Sequence, residues 1–207
     1  MSDTSIEALE AAAVAYLRQQ LGDRAPQELR LEGQFDERPL DGEGPTALFS
    51  FDLDPAADGG GANAATTKSR HYVAVGQTEP NFLPAYGLDP DDAYSLHIGT
   101  RFMLEMQVQV VDAAYEPPGA REAMEVFAQA YGGGGRPENA ELATLFRCEE
   151  TYFAVYRLTI GGEDVFCMGA GCPPGFYRMT QHPPQVALRV HLGKLIRAEK
   201  KREVADE

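Results

Sequence analysis

Between Ser5 and Leu21 the apolar residues return with the period of a helix, Ile6, Leu9, Ala13, Tyr16, Leu17 and Leu21 falling near one face. Asp3 or Thr4 stands where a helix N-cap belongs, Gly22-Asp23 ends the pattern, and Pro26 prevents its renewal. From Leu29 to Glu37 the period drops to two: Leu29, Leu31 and Phe35 alternate with polar neighbours, and Gly33 marks a bulge. A turn around Pro39 to Pro45 leads to a second strand, 47–53, with Phe49, Phe51 and Leu53 on one face. The stretch 55–68 is small, polar and Gly-rich, the composition of a mobile loop, and a third strand, 72–75, follows it. After an aromatic loop, 77–88, the run Asp89-Pro90-Asp91-Asp92 opens a helix that extends to about Met106. The segment 107–112 fits either its extension or a short strand.

The second half is punctuated more heavily. Pro117-Pro118-Gly119 and the four glycines 132–135 bracket a helix over 120–131, and a further helix is expected over 139–146. Tyr152, Ala154, Tyr156, Leu158 and Ile160 alternate as a strand, Gly161-Gly162 makes a two-residue turn, and 165–168 returns antiparallel. Pro184 opens the last helix, which runs to about Arg202 and ends in a basic stretch read as a solvated helix terminus.

Residues 71–102 also lie over 165–196 without a gap. Pro80, Phe82, Pro90, Ala93, His97 and Gly99 meet Pro174, Phe176, Pro184, Ala187, His191 and Gly193, with apolar pairs between them. The expected fold is therefore α+β: two related halves, each an antiparallel sheet with helices on one face. Residues 1–112 form the N-terminal α-β-β-β-α half. A Pro/Gly-rich connector with a short helix spans 113–138, and 139–207 form the C-terminal α-β-β-α half, the whole being compatible with one compact domain. The glycines matched inside two helices imply close approach of another backbone at 99 and 193.

Composition changes the picture in two ways. With 18 Lys and Arg against 32 Asp and Glu, the net charge is −14, which argues against nucleic acid and anionic membrane surfaces as partners. Three cysteines in 207 residues do not make a disulfide framework, and the start shows neither a signal-peptide pattern nor a membrane span. The expected setting is soluble and cytoplasmic.

Candidate chemistry is sparse. The loop Gly169 to Gly175 fits neither a dinucleotide fingerprint, which wants glycine where Pro174 stands, nor a nucleophile elbow around Cys172. A Cys172–His182 nucleophile and base is one alternative, although Arg178 is the only cation near the thiol in sequence. Cys167, Cys172, His182 and His191 make at best a loosely spaced zinc set. His97 and His191 offer another alternative, a metal or haem site, against a structural role for each imidazole on its own helix. The leading reading is a non-catalytic, chaperone- or adaptor-like protein that needs no cofactor and recognises a peptide or protein segment, with homodimerisation possible. Its candidate contact residues are Asn81, Phe82, Tyr86, His97 and Arg101 in the first half and Phe176, Tyr177, Arg178 and His191 in the second.

Overall fold

Apolar alternation on both sides of the central strands dictates how this chain is layered. In the computed structural model, residues 5–35, 40, 45–53, 69–76, 79–84, 87–111, 115–133 and 136–206 are described. They contain four α-helices and two antiparallel sheets, so the α+β class holds. The expected mobile loop at 55–68 and candidate Tyr86 lie outside the described residues. The chain divides into two compact units, Met1–His97 with Arg197–Glu207, and Ile98–Ile196, so that helices α2 (Pro90–Glu105) and α4 (Pro184–Asp206) each contribute to both.

In the first unit, α1 (Ile6–Leu21) is capped by Ser5, whose hydroxyl accepts from the Ala8 amide at 3.3 Å; Gly22, at φ 57°, closes it. Strands β1 (Arg30–Phe35), β2 (Thr46–Leu53), β3 (Ser69–Val75) and β4 (Asn81–Leu83) form a meander in that order. The bulge falls between Leu31 and Gly33, where the sequence places it. Leu9, Ala13 and Leu17 of α1 pack on Ala47, Phe49, Phe51, Leu53, Val73 and Val75. The opposite face, with Leu48, Ser50, Tyr72 and Ala74, is buried as well. On that side Phe35 stacks on Tyr94 of α2 at 3.9 Å, and the Tyr72 hydroxyl donates to the Leu88 carbonyl at 2.6 Å. Helices on one face was too simple. The small residues Ser50 and Ala74 leave room for a second helix, so the less aromatic face is an interior too.

The end of α4 brings the second departure. Arg197 belongs to the basic stretch expected in solvent, yet its side chain is only 6% exposed. Its guanidinium lies 4.8 Å from the Tyr94 ring centre and donates to Ser95 Oγ and Asp91 Oδ1, each at 2.8 Å. Planarity lets one side chain stack and bridge at once, and that draws this cation out of water.

In the second unit, strands β5 (Gln109–Val111), β6 (Asn139–Cys148), β7 (Thr151–Ile160), β8 (Glu163–Met168) and β9 (Gly175–Tyr177) form the sheet, again in chain order. Segment 139–146 is thus strand, not helix. Its Ala, Glu and Leu favour a helix locally, but β6 pairs with β7 from Asn139–Thr159 to Cys148–Thr151, and that ladder outweighs local propensity. A bulge between Leu142 and Thr144 had hidden the strand period. Segments 81–83 and 175–177, expected as loop, are short edge strands. Helix α3 (Ala120–Tyr131) lays Ala120, Met124 and Ala128 over Leu145, Ala154, Tyr156, Leu158, Val165 and Cys167. Beneath it the Tyr156 hydroxyl donates to Glu116 at 2.8 Å, and Arg121 pairs with the same carboxylate at 3.0 Å.

Candidate binding cleft

The sequence-selected residues separate into two groups. In the first unit, Asn81 Nδ2 lies 3.2 Å from His97 Nδ1, joining edge strand β4 to α2. His97 is 2% exposed, and Tyr94 stacks beside it. Phe82 is half-buried and packs against the α1 core, its ring 5.6 Å from His71 and 6.0 Å from Phe51. Burial, with Arg24 adding to it and Asp52 opposing, holds the His71 pKa below its ordinary value. Arg101, in the second unit, pairs with Glu105 one turn along its own helix at 3.0 Å.

In the second unit His191 Nε2 meets the Pro173 carbonyl at 2.8 Å, and its ring covers Gly175 of β9. A Cβ at 175 would stand 2.8 Å from Nδ1, so the glycine makes room for the imidazole. Burial lowers the His191 pKa, the Pro173 carbonyl opposes the shift, and Lys194 adds to it. His97 and His191 fall in different units, each engaged with the strand or loop that precedes its own helix.

The thiols are poorly placed for nucleophilic work. Burial alone pushes Cys172 up to about 12, with no cation acting against it. Cys167 is likewise pushed up to about 12, by burial and then by Cys172. His182 is buried, with Nδ1 held 2.6 Å from the Tyr177 hydroxyl. Among the described residues no three His, Cys, Asp or Glu side chains gather as a metal set, and no helix is long and apolar enough to cross a membrane.

What does gather is a cleft of about 460 Å³ where the end of α3 meets the β7–β8 turn and β9. Val165 is buried in it, Ile160 and Phe176 are half-buried, and Tyr131, Arg136, Glu138, Glu163 and Arg178 are exposed. Phe127 stands between Phe176 and Tyr131 with ring centres 4.9 Å from each, a run of three rings that ends in a tyrosine 74% exposed. Arg178 is tied to Glu163 at 3.0 Å, both side chains being largely in solvent. The arrangement suits an apolar group flanked by charge, since rings supply contact area at low entropic cost and guanidinium groups orient anions.

Sequence reasoning reached Phe176 and Arg178 but missed Tyr131, Arg136 and Ile160. The available signal was the apolar stripe of α3. Met124, Phe127, Ala128 and Tyr131 keep helical spacing to the last turn, so the stripe runs one residue beyond what the sheet covers. No protein-family model, curated protein or solved structure matches the chain.

Proposed function

We propose that the chain is a non-catalytic binding protein, chaperone- or adaptor-like, that holds a peptide or protein segment by seating one of its apolar side chains in the cleft. The observation that carries this reading is the three-ring run ending in exposed Tyr131 beside that cleft. Exposed aromatics with arginines close by are the side chains that dominate recognition surfaces. The high pKa of Cys172 and the commitment of His182 Nδ1 to Tyr177 weigh against the cysteine-enzyme alternative. The separate engagement of His97 and His191 weighs against the metal or haem alternative. The acidic balance supports a soluble, cytoplasmic setting away from nucleic acid and anionic lipid.

The two halves are, on this reading, copies of one unit. An offset of 94 carries the pairs Tyr72–Leu83, Val73–Phe82 and Ala74–Asn81 onto Phe166–Tyr177, Cys167–Phe176 and Met168–Gly175, and Pro90 onto Pro184. Shared register across a strand pair and the following helix start is hard to reach by chance.

The test is selection from a random dodecapeptide library on the wild type, followed by affinity measurements on Tyr131→Ala and Phe176→Ala. Selected peptides should share an aromatic or long aliphatic residue and lose about tenfold or more in affinity for either variant. Equal affinity for the variants would remove the cleft from the account.

A further inference from the structure

Among the described residues four strands stand at sheet edges, and three of them carry proline, basic charge or a bulge against further pairing. Strand β1 has a bulge and two charges, Arg30 and Glu32; β4 is flanked by Pro80 and Pro84; β9 follows Pro173-Pro174 and precedes Arg178. Strand β5, Gln109-Val110-Val111, has neither charge nor proline nor bulge within it, its flanking charge in sequence is the acidic Asp112, and among the described residues it bonds to β6 on one side only. Its central Val110 is 62% exposed. In the last turn of α2 and just after it, Leu104 and Met106 are 69% and 46% exposed.

A groove of about 370 Å³ runs beside this edge, lined by Glu105, Met106, Gln107, Gln109, Arg147 and Glu149. Among the described residues, Gln107 (φ 50°) and Glu149 (φ 51°) are the non-glycine residues with left-handed backbone, and both line it. Gln107 closes α2, with the Val108 amide donating to the Met103 carbonyl at 2.9 Å, where glycine would serve without strain. Glu149 sits in the turn from β6 to β7. Glycine at either place would remove both the strain and a polar side chain at the groove.

We propose that the outer edge of β5 accepts an extended, basic polypeptide segment as a sixth strand, a site separate from the aromatic cleft. Backbone bonding along β5 supplies the pairing, Val110 and Met106 meet the segment's apolar side chains, and its cations lie against Glu149 and Glu150. Charge selects this occupant. Of the two groove carboxylates Glu105 is already paired with Arg101, so Glu149 and the adjoining exposed Glu150 stand against Arg147, Asp112 follows β5 in sequence, and the chain as a whole carries −14. A second copy brings the same negative charge and is repelled; a basic segment is drawn in.

The probe is the blocked peptide acetyl-Lys-Val-Lys-Val-Lys-Val-amide, compared with its glutamate analogue by calorimetry on the full chain. The basic peptide should bind at least about tenfold more tightly, weaken when salt is raised to about 0.5 M, and slow hydrogen exchange at residues 109–111. The double variant Gln107→Gly, Glu149→Gly should unfold at a higher temperature yet lose about fivefold or more in affinity, while Tyr131→Ala binds as the wild type does. Equal binding of the two peptides, undiminished affinity in the folded double variant, or protection elsewhere would overturn the proposal. A concentration-dependent dimer whose β5 amides are protected without peptide would overturn it too, by giving the edge to a second copy.

Discussion

Gly99→Ala adds a single methyl group to the middle of α2, and local propensity and packing disagree about its sign. In an unencumbered helix interior, alanine is worth about 1 kcal/mol over glycine. At this position the new Cβ would press on the Arg189 carbonyl oxygen and stand 2.6 Å from its carbonyl carbon and 2.9 Å from its Cα. Every one of those atoms is main chain of α4, so no side-chain rotation relieves the contact and two helix backbones must part. Overpacking typically costs about 1–3 kcal/mol, and an obstruction made of backbone belongs in the upper part of that range. The expected net loss is about 1–2 kcal/mol. With a urea slope of about 2 kcal/mol per molar, the unfolding midpoint should fall by roughly 0.5–1 M. Ala130→Gly, on the exposed side of α3, calibrates the propensity part in the same protein and should cost about 1 kcal/mol. Both are read by circular dichroism through urea titration. A midpoint for Gly99→Ala equal to or above the wild type would refute the close approach and the reason given for a glycine there.

Three further outcomes are expected. Arg197→Lys should lower stability by about 1–2 kcal/mol, measured by thermal unfolding, because an ammonium cannot stack on Tyr94 while reaching Ser95 and Asp91; the Asp91 side chain is 64% exposed, so its ion pair is a minor part, and a loss below about 0.5 kcal/mol would contradict the account. His71 and His191 titrate below the ordinary 6.5 when folded, so the unfolded chain takes up more protons under that pH; the stability they contribute is full above about 6.5 and lost as the pH falls through the folded values, and His191→Gln should flatten the decline between about pH 7 and 5, an unchanged slope counting against it. Iodoacetamide should leave Cys172 almost untouched in the folded protein at pH 8, where a thiol near 12 is ionised to the order of one part in ten thousand; rapid, selective labelling at pH 6 would revive the cysteine-enzyme reading.

What the sequence disclosed and what it withheld follow one physical line. Features written by neighbours in sequence were legible: the Asp89 cap, which accepts from the Asp92 amide at 2.8 Å, the Gly33 bulge, and the Gly161-Gly162 turn joining β7 to β8. Features decided across the sheet were not. Segment 139–146 carries helix-favouring residues, and only the ten-residue length of β7 opposite makes it a strand. Arg197 reads as one more exposed cation until Phe35, Tyr94 and Ser95 surround it. The cleft was half legible for the same reason. Phe176 and Arg178 were marked by their residue types in a loop, whereas Tyr131 lies about 30 residues from Ile160 in sequence and meets it only through folding.

His97 and His191 are held in two different ways. In the first unit the carboxamide of Asn81 reaches the imidazole of His97. On β9 stands Gly175, and the imidazole of His191 fills the space a side chain there would take and bonds the Pro173 carbonyl. Both arrangements tie a helix to the edge strand before it, by side chain in one half and by main chain in the other. Each imidazole is thereby turned inward against its own sheet. The two surfaces proposed for binding, the Tyr131 cleft and the edge of β5, both belong to the second unit.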